Sequence, residues 1–419
     1  MRQSKLFGKT LKQAPKDEVS INAILLTRAG FIDKLSAGIY TYLPLGLRVL
    51  NKIKNIVREE MNAIGGQEIL MPALQPKELW EKTGRWTKPG KEVMFQLEDR
   101  SGKEYGLGWT HEEIITPLVK KIVSSYKDLP LYLYQIQDKF RDEPRAKSGL
   151  LRGLEFSMKD LYSFHTDEKD LEEYYQKALK AYQKVFKRCS LELLVTEASG
   201  GSFSKYSHEF QVLTPSGEDI IFYCQKCFYA QNKEIAKFKA DDKCPKCKSG
   251  KMAEGKSIEV GNIFQLKTKY SSPFDLFYTD QNGKQKPVIM GCYGIGPSRV
   301  MGSVVEVHHD QQGIIWPKII APYQIHLLML GSENELGKKA KTVYNKLLAQ
   351  GLEILFDYRL DISAGQKFAY SDLIGIPYRL VISNKTKDKV EVKRRNEKEV
   401  KLMEIKELFK KLTSEQSDK

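Results

Sequence analysis

The chain has 419 residues, 41% of them hydrophobic, which is too long for one typical domain and too apolar for general disorder. A net charge of +15 favours a polyanionic partner such as nucleic acid or a phosphate-rich ligand. No window approaches the roughly 20 apolar residues of a membrane span, and Met1-Arg2-Gln3-Ser4-Lys5 runs into a polar stretch rather than a signal-like apolar core, so a cytoplasmic location without membrane contact is expected.

Residues 43–64 have a helical apolar period, with Leu47, Leu50, Ile53, Val57, Met61 and Ile64 recurring every three or four positions. Gly65-Gly66 ends that helix, and 67–74 reads as a strand broken by Pro72. Two strand-like runs between 132 and 162 flank a loop at 141–149 rich in charge, Pro and Gly. A second long helix is expected to open at Thr166, with Asp167 and Glu168 in its first turn. It turns Leu171, Tyr174, Tyr175, Leu179, Tyr182, Val185 and Phe186 inward as far as about Cys189. Residues 224–256 change character, with nine Lys against four acidic residues. A strand at 258–267 and a glycine-spaced stretch at 291–302 follow, the latter opening a helix. From Tyr323 onward the order is strand 324–330, helix 336–348, strand 353–358, helix 366–374, strand 378–383, strand 390–394 and a short terminal helix. That order predicts a small α/β domain with a mainly parallel sheet.

Two of these segments carry chemistry. In the first, Arg141-Asp142-Glu143 leads into a loop with Arg145 and Lys147, and Leu151-Arg152-Gly153-Leu154-Glu155-Phe156 returns from it. A hairpin opened by an arginine suits a triphosphate, because the planar guanidinium fork matches phosphate oxygens, and an aromatic on the returning strand can stack on a base. In the second, Met290-Gly-Cys-Tyr-Gly-Ile-Gly-Pro-Ser-Arg299, the glycines permit close backbone approach and Arg299 can cover a nucleotide; the spacing is not that of a dinucleotide fingerprint.

Together with the long helix before Pro72, these pieces resemble the three motifs of class II aminoacyl-tRNA synthetases. Further runs are similar to the prolyl members in particular: Leu35-Ser-Ala-Gly-Ile-Tyr40, Trp109-Thr-His-Glu-Glu113, Arg141-Asp-Glu-Pro-Arg145, Met158-Lys-Asp-Leu-Tyr-Ser-Phe-His165, Ser207-His-Glu-Phe210 and Gly291-Cys-Tyr-Gly-Ile-Gly296. Ala364-Gly-Gln-Lys-Phe-Ala369 with Ile374-Gly-Ile-Pro377 resembles that family's anticodon-binding domain. The resemblance implies an α/β fold: an α+β catalytic domain with a mixed, mostly antiparallel sheet flanked by helices, and a C-terminal α/β anticodon-binding domain. It also implies a homodimer, ATP with Mg²⁺, and proline and tRNA(Pro) as partners. By resemblance, Arg141, Glu143 and Arg299 are the catalytic set. Arg141 holds the α-phosphate and the amino acid carboxylate, Glu143 reads the adenine side, Phe156 stacks on adenine with Arg299 on its other face, and Arg152 joins the ATP contacts. Thr110 and Glu112 receive the proline nitrogen, and His165 and Cys292 line the pocket for the ring. Two positions depart from the family's commonest pattern: Trp109 stands where many members have Pro, and Leu154 where many have Arg.

Cys224-x₂-Cys227-x₁₆-Cys244-x₂-Cys247 has the spacing of a structural Zn²⁺ site, with a metal-free remnant, or two thiol pairs too far apart to converge, as the alternatives. The distance from Phe156 to Gly291 leaves no room for the large editing insertion common in the bacterial-type family, and the cysteine module occupies its place. The expected division is therefore 1–223 catalytic, 224–256 cysteine module, 257–322 catalytic continued, and 323–419 anticodon-binding. The rival readings are another class II synthetase, a silent RNA-binding relative, and an amino acid-activating enzyme with a different carrier.

Overall fold

The computed structural model describes residues 1–14, 18–144, 146, 148–201, 203–204, 206–332 and 335–417. Arg145 and Lys147, expected beside a triphosphate, lie outside the described residues. The chain forms two compact units, one of Ser36–Ile39 with Ile53–Ser303, the other of Met1–Leu35, Tyr40–Lys52 and Val304–Lys419.

The first of these units is built on a nine-stranded sheet. In chain order its strands are β1 (Gln67–Glu68), β2 (Leu131–Phe140), β3 (Glu155–His165), β4 (Leu194–Ser199), β5 (Tyr206–Leu213), β6 (Asp219–Cys224), β7 (Ala230–Asn232), β8 (Met252–Lys267) and β9 (Ile289–Ile295). Their spatial order is β5-β4-β7-β6-β8-β9-β3-β2-β1, with β5 also paired to β8. Among the described residues only β1–β2 and β4–β7 are parallel, so the sheet is mostly antiparallel as expected. The β2–β3 hairpin runs in unbroken register from Leu131↔Phe164 to Phe140↔Glu155. Strand β8 begins six residues before the expected start at 258, because its early part pairs with β6.

The longer helices with residues in this unit are α1 (Pro44–Ala63), α2 (Glu112–Lys120), α3 (Glu168–Arg188) and α4 (Pro297–Val307), with α1 up to Lys52 and α4 from Val304 assigned to the other unit. In α1 the period buries Leu50, Ile53, Val57 and Met61, but Leu47 is 47% exposed and so departs from the expected apolar stripe. Helix α3 opens one residue later than expected. Asp167, not Thr166, is the N-cap, and its carboxylate accepts the Lys169 and Asp170 amides at 2.9 Å each. Ala178 is buried in α3 where Leu179 was expected to be. The strand expected at 67–74 is also shorter: β1 ends at Glu68, and Leu74–Pro76 joins a separate three-stranded sheet with Glu104–Leu107 and Gln96–Glu98. Pro72 has no N–H to continue a ladder, and its carbonyl meets His111 Nε2 instead.

The other unit contains β10 (Ile325–Leu330), α5 (Glu335–Ala349), β11 (Ile354–Asp357), α6 (Ala364–Ile374), β12 (Tyr378–Ser383), β13 (Lys389–Arg394), β14 (Val400–Glu404) and α7 (Ile405–Ser417). The sheet order is β11-β10-β12-β13-β14. Strands β11, β10 and β12 are parallel, whereas β13 and β14 are antiparallel. The expectation of a mainly parallel sheet therefore holds only for its first three strands. Ser363 caps α6 through the Gln366 amide at 3.3 Å, and Gly375 closes it at φ 79°. Leu327, Leu347, Leu380 and Leu408 are fully buried in the shared core, each contributing about 1.5–3 kcal/mol of transfer free energy. The chain's first residues cover the free edge of β11: Met1 N donates to Ile354 O at 2.8 Å, and Arg2 bridges Phe356 in parallel.

Candidate active site

Side chains on β3 and β9 alternate between two faces of the nine-stranded sheet. One face is covered by α3: Lys159 donates to Tyr182 OH and to Tyr293 O, and Tyr174 meets Tyr293 edge-on at 5.7 Å. On the opposite face Phe156, Met158, Asp160, Cys292 and Gly294 open into a cavity of about 290 Å³. Thr110, Arg141, Phe203, Glu259, Asn262 and Arg299 also line it. A Cβ added at Gly294 would meet nothing nearer than Asn262 O at 3.8 Å, so the glycine leaves the cavity floor bare. A second lobe of about 230 Å³ shares Arg141, Glu259 and Arg299 and adds Glu143, Arg152, Glu218 and Asp219.

The buried end of the first lobe is a charged anchor. Glu112, in the first turn of α2, is fully buried. Its Oε2 accepts from Thr110 Oγ1 at 2.6 Å and Arg85 Nη1 at 3.2 Å, and its Oε1 from Cys292 Sγ at 3.4 Å. The same Arg85 nitrogen reaches Glu113 at 3.0 and 3.1 Å, and Thr83 Oγ1 donates to Glu113 at 2.7 Å. Aromatic rings enclose the Arg85 guanidinium, with centroids at 4.4 Å for Trp109, 5.0 Å for Phe203, 5.2 Å for Tyr270 and 5.4 Å for Trp80. Trp109 therefore has a defined place as a wall of the arginine cage, stacked on Trp80 at 5.7 Å. Burial, opposed by Arg85 and reinforced by Glu112, pushes the Glu113 carboxyl up to about 7. Burial likewise pushes the Cys292 thiol far up, and Glu112 adds to the shift, so Cys292 is a neutral lining group.

The polar floor was not foreseen from sequence. Burial alone raises the Asp160 carboxyl, but Lys139 at 2.8 Å, His111, and the amide of Gln135 at 3.0 Å hold it below the usual carboxylate range. His111 is lowered to about 4 by burial and by Lys139, and is therefore neutral. The β3 alternation from Phe156 would have found Met158 and Asp160. Arg85, Phe203 and Asn262 carry no local signal that separates them from surface residues.

At the other end, Arg141 closes the hairpin through its amide to Leu154 O at 2.8 Å, and its guanidinium lies over the Phe156 ring at 5.1 Å. Arg299, in the first turn of α4, is fixed by Leu151 O and Glu259 O at 2.9 Å each. Burial and the nearby Arg299 charge lower the Arg141 pKa, with Glu259 and Glu143 opposing the shift. Glu143 and Arg152 pair with each other at 2.8 Å, and Arg152 also holds Glu218 at 2.7 Å.

The structure thus brings Thr110, Arg141, Phe156, Cys292 and Arg299 to one cavity, with Glu112 buried behind Thr110 and Cys292 and with Glu143 and Arg152 in the adjoining lobe. It does not bring His165 there. His165 is fully buried at the end of β3 on the α3 face, bonded through Nδ1 to Asp170 at 2.7 Å and set between Tyr132 and Tyr174. Its odd position in a strand whose even positions face the cavity accounts for the difference. A larger hollow of about 710 Å³ behind Phe203 is lined by Tyr175, Ser207, His208 and Lys269 among others, and holds none of the candidate catalytic, ATP- or proline-binding residues named from sequence.

The four thiols Cys224, Cys227, Cys244 and Cys247 converge with their sulfurs within 4.8 Å of one another. The Cys224–Cys247 and Cys227–Cys244 separations are 3.7 and 3.6 Å. Tetrahedral Zn²⁺ with bonds of about 2.3 Å needs sulfurs about 3.8 Å apart, so the donor set fits that ion. Gly250 makes room for it: a Cβ there would overlap Cys224 Sγ and stand 3.4 Å from Cys247 Sγ.

Comparison with known proteins agrees with this geometry. Residues 95–308 match the tRNA synthetase class II core domain (G, H, P, S and T), and residues 320–415 match the anticodon binding domain. The chain is 38% identical to the proline--tRNA ligase of Sulfurihydrogenibium sp. (strain YO3AOP1), over 98% of this chain and 99% of the relative. That alignment runs over 561 positions against 419 residues here, so at least 142 positions of the relative have no counterpart. Identity to the proline--tRNA ligase of Moorella thermoacetica (strain ATCC 39073 / JCM 9320) is 36%, over 95% of this chain and 96% of the relative. The solved structure of Giardia lamblia prolyl-tRNA synthetase in complex with prolyl-adenylate superimposes with a TM-score of 0.76 at 20% identity, covering 92% of this chain and 74% of that one, a likeness of fold.

Proposed function

The chain belongs to the proline--tRNA ligase family of class II aminoacyl-tRNA synthetases, and on that premise we propose that it activates proline with ATP and transfers it to the 3′ end of tRNA(Pro). The observation that carries the reading is the distribution of charge around the cavity: buried carboxylates at one end, Asp160 in the floor and Glu112 behind Thr110 and Cys292, and the Arg141 and Arg299 guanidinium groups at the other. A secondary ammonium without side-chain polarity can be selected only by shape plus one charged anchor, which Glu112, Thr110 and Cys292 supply. Arg141 and Arg299 would neutralise the α-phosphate and the attacking carboxylate. In-line attack of that carboxylate on the α-phosphorus gives prolyl-adenylate and pyrophosphate, and the terminal tRNA hydroxyl then attacks the adenylate carbonyl. Such chemistry needs positioning and charge stabilisation and no protein nucleophile.

Phe156 would stack on adenine, and Glu143 with Arg152 would border the nucleotide once their mutual ion pair opens. Mg²⁺ would arrive with ATP as part of the substrate, and Glu259, which borders both lobes, would be a carboxylate within its reach. Zn²⁺ would be held by Cys224, Cys227, Cys244 and Cys247 in a structural role. The catalytic parts are 1–223 and 257–322, the cysteine module 224–256, and the anticodon-binding part 323–419. Leu70 and Leu74, in the segment that follows α1, are exposed, which supports a homodimer interface beside the first motif. Among the described residues no helix is long and apolar enough to cross a membrane, in keeping with a cytoplasmic location.

The shortfall against the relatives' length supports a protein unable to clear alanyl-tRNA in cis. Charging of tRNA(Pro) with labelled proline, followed by incubation of separately prepared alanyl-tRNA(Pro) with the protein, tests both statements. Proline charging with persistent alanyl-tRNA is expected. Absence of charging overturns the first, and rapid hydrolysis of alanyl-tRNA overturns the second.

A further inference from the structure

We propose that the cysteine module is an RNA-docking surface that holds the acceptor arm of the tRNA, resting on the function proposed above. All nine lysines between 224 and 256 are exposed: Lys226, Lys233, Lys237, Lys239, Lys243, Lys246, Lys248, Lys251 and Lys256. Among the described residues none of these nine has its charge paired with a carboxylate. Elsewhere in the same chain Lys34, Lys139, Lys267 and Lys286 each hold an acidic partner at 2.8–2.9 Å. Four acidic residues lie in the same segment, so pairing was available and is not used. Unpaired lysines at this density repel one another and keep their charge free for phosphates.

The module also presents an aromatic to solvent. Phe228 is 66% exposed and sits at φ 59°, immediately after Cys227 at the tip of the first Cys-x-x-Cys turn. An exposed aromatic held rigidly among lysines suits an unstacked base of a single-stranded end. The module's place in the fold fits that partner. Strand β6 begins at Asp219, a wall of the second lobe, and ends at Cys224, a ligand position. Five residues of strand span about 17 Å, so the lysine-bearing turns stand about that far from the guanidinium end of the cavity. The RNA end that receives the activated amino acid must reach this cavity, and the duplex behind it would pass over the module.

The test uses the full-length zinc-replete protein and two variants, Lys226→Ala/Lys246→Ala/Lys248→Ala and Phe228→Ala. The RNA probes are tRNA(Pro) and a minihelix carrying its acceptor arm alone. Binding is read by fluorescence anisotropy at several salt concentrations, which does not depend on catalysis, and each variant is checked for zinc content and proline-dependent pyrophosphate exchange. The triple variant is expected to bind the minihelix at least about tenfold more weakly, with the salt slope reduced by about 0.7–0.9 for each phosphate that is no longer neutralised. Exchange should be unchanged, and full tRNA should be affected less because the anticodon is held elsewhere. Unchanged minihelix affinity and salt slope in the triple variant would overturn the proposal, as would a loss of binding accompanied by equal losses of zinc and exchange. A wild-type protein that binds the minihelix but shows no exchange with proline would contradict the proposed function and leave the docking surface standing.

Discussion

Replacing Arg85 with Met removes the guanidinium that bonds both Glu112 and Glu113. Arg85 and the two carboxylates are buried together, and Arg85 donates to Glu112 at 3.2 Å and to Glu113 at 3.0 Å. Breaking a buried pair by deleting one partner costs about 3–5 kcal/mol, because the remaining charge loses its compensation. The charge-assisted bond to Glu112 is itself worth about 1.5–3 kcal/mol. If Glu112 receives the proline nitrogen, losing that bond frees the carboxylate to rotate out of register, and the KM for proline should rise about 10- to 150-fold. Arg85 does not border the second lobe, so the KM for ATP should stay within about twofold. Arg85→Lys keeps the charge and loses the fork, so it should fall between the two. Pyrophosphate exchange with proline and ATP varied separately, alongside thermal melting, makes the measurement. A proline KM equal to wild type, or equal rises in both KM values, would refute the reasoning.

Other predictions concern stability, the metal and the nucleotide end. His326 is fully buried with Nε2 bonded to Gln3 at 2.7 Å, and burial, opposed by Asp357 and aided by Arg359 and Arg379, lowers its pKa to about 4. The unfolded chain binds this proton first, so the stability it carries is complete above about pH 6.5 and lost as pH falls from 6.5 toward 4, by about 3 kcal/mol. Melting curves across that range should flatten in His326→Gln, and an unaltered slope would exclude the histidine. Gly250→Ala places a methyl against Cys224 Sγ. It should weaken zinc retention against a chelator by at least about tenfold, read by a colorimetric zinc indicator, and retention equal to wild type would exclude convergence of the thiols. Arg299→Ala should raise the KM for ATP by about tenfold or more while sparing that for proline, given a charge-assisted contact of about 1.5–3 kcal/mol.

Much of the fold could be read locally. The β2–β3 hairpin and α3 follow from alternation and period alone, and the two Cys-x-x-Cys turns from spacing. What escaped depended on contacts across the sequence. Arg85 meets carboxylates 27 and 28 positions away, and nothing around Thr83-Gly84-Arg85 announces them. Strand β14 exposes Val400 and Leu402 and buries Met403, a pattern too weak for period-two reading. His165 sits in a run that resembles the prolyl members, yet strand parity places it on the helix-covered face, while Met158 and Asp160 in the same run face the cavity. Register along the strand was therefore the better guide to site residues than membership of the run.

The most direct test of the central claim is amino-acid-dependent exchange of pyrophosphate into ATP, with proline, alanine, threonine and glycine in parallel. Strong exchange with proline, weaker exchange with alanine and none with threonine or glycine is the predicted result. Exchange led by another amino acid, or absent with all four from folded, zinc-replete protein, would contradict it.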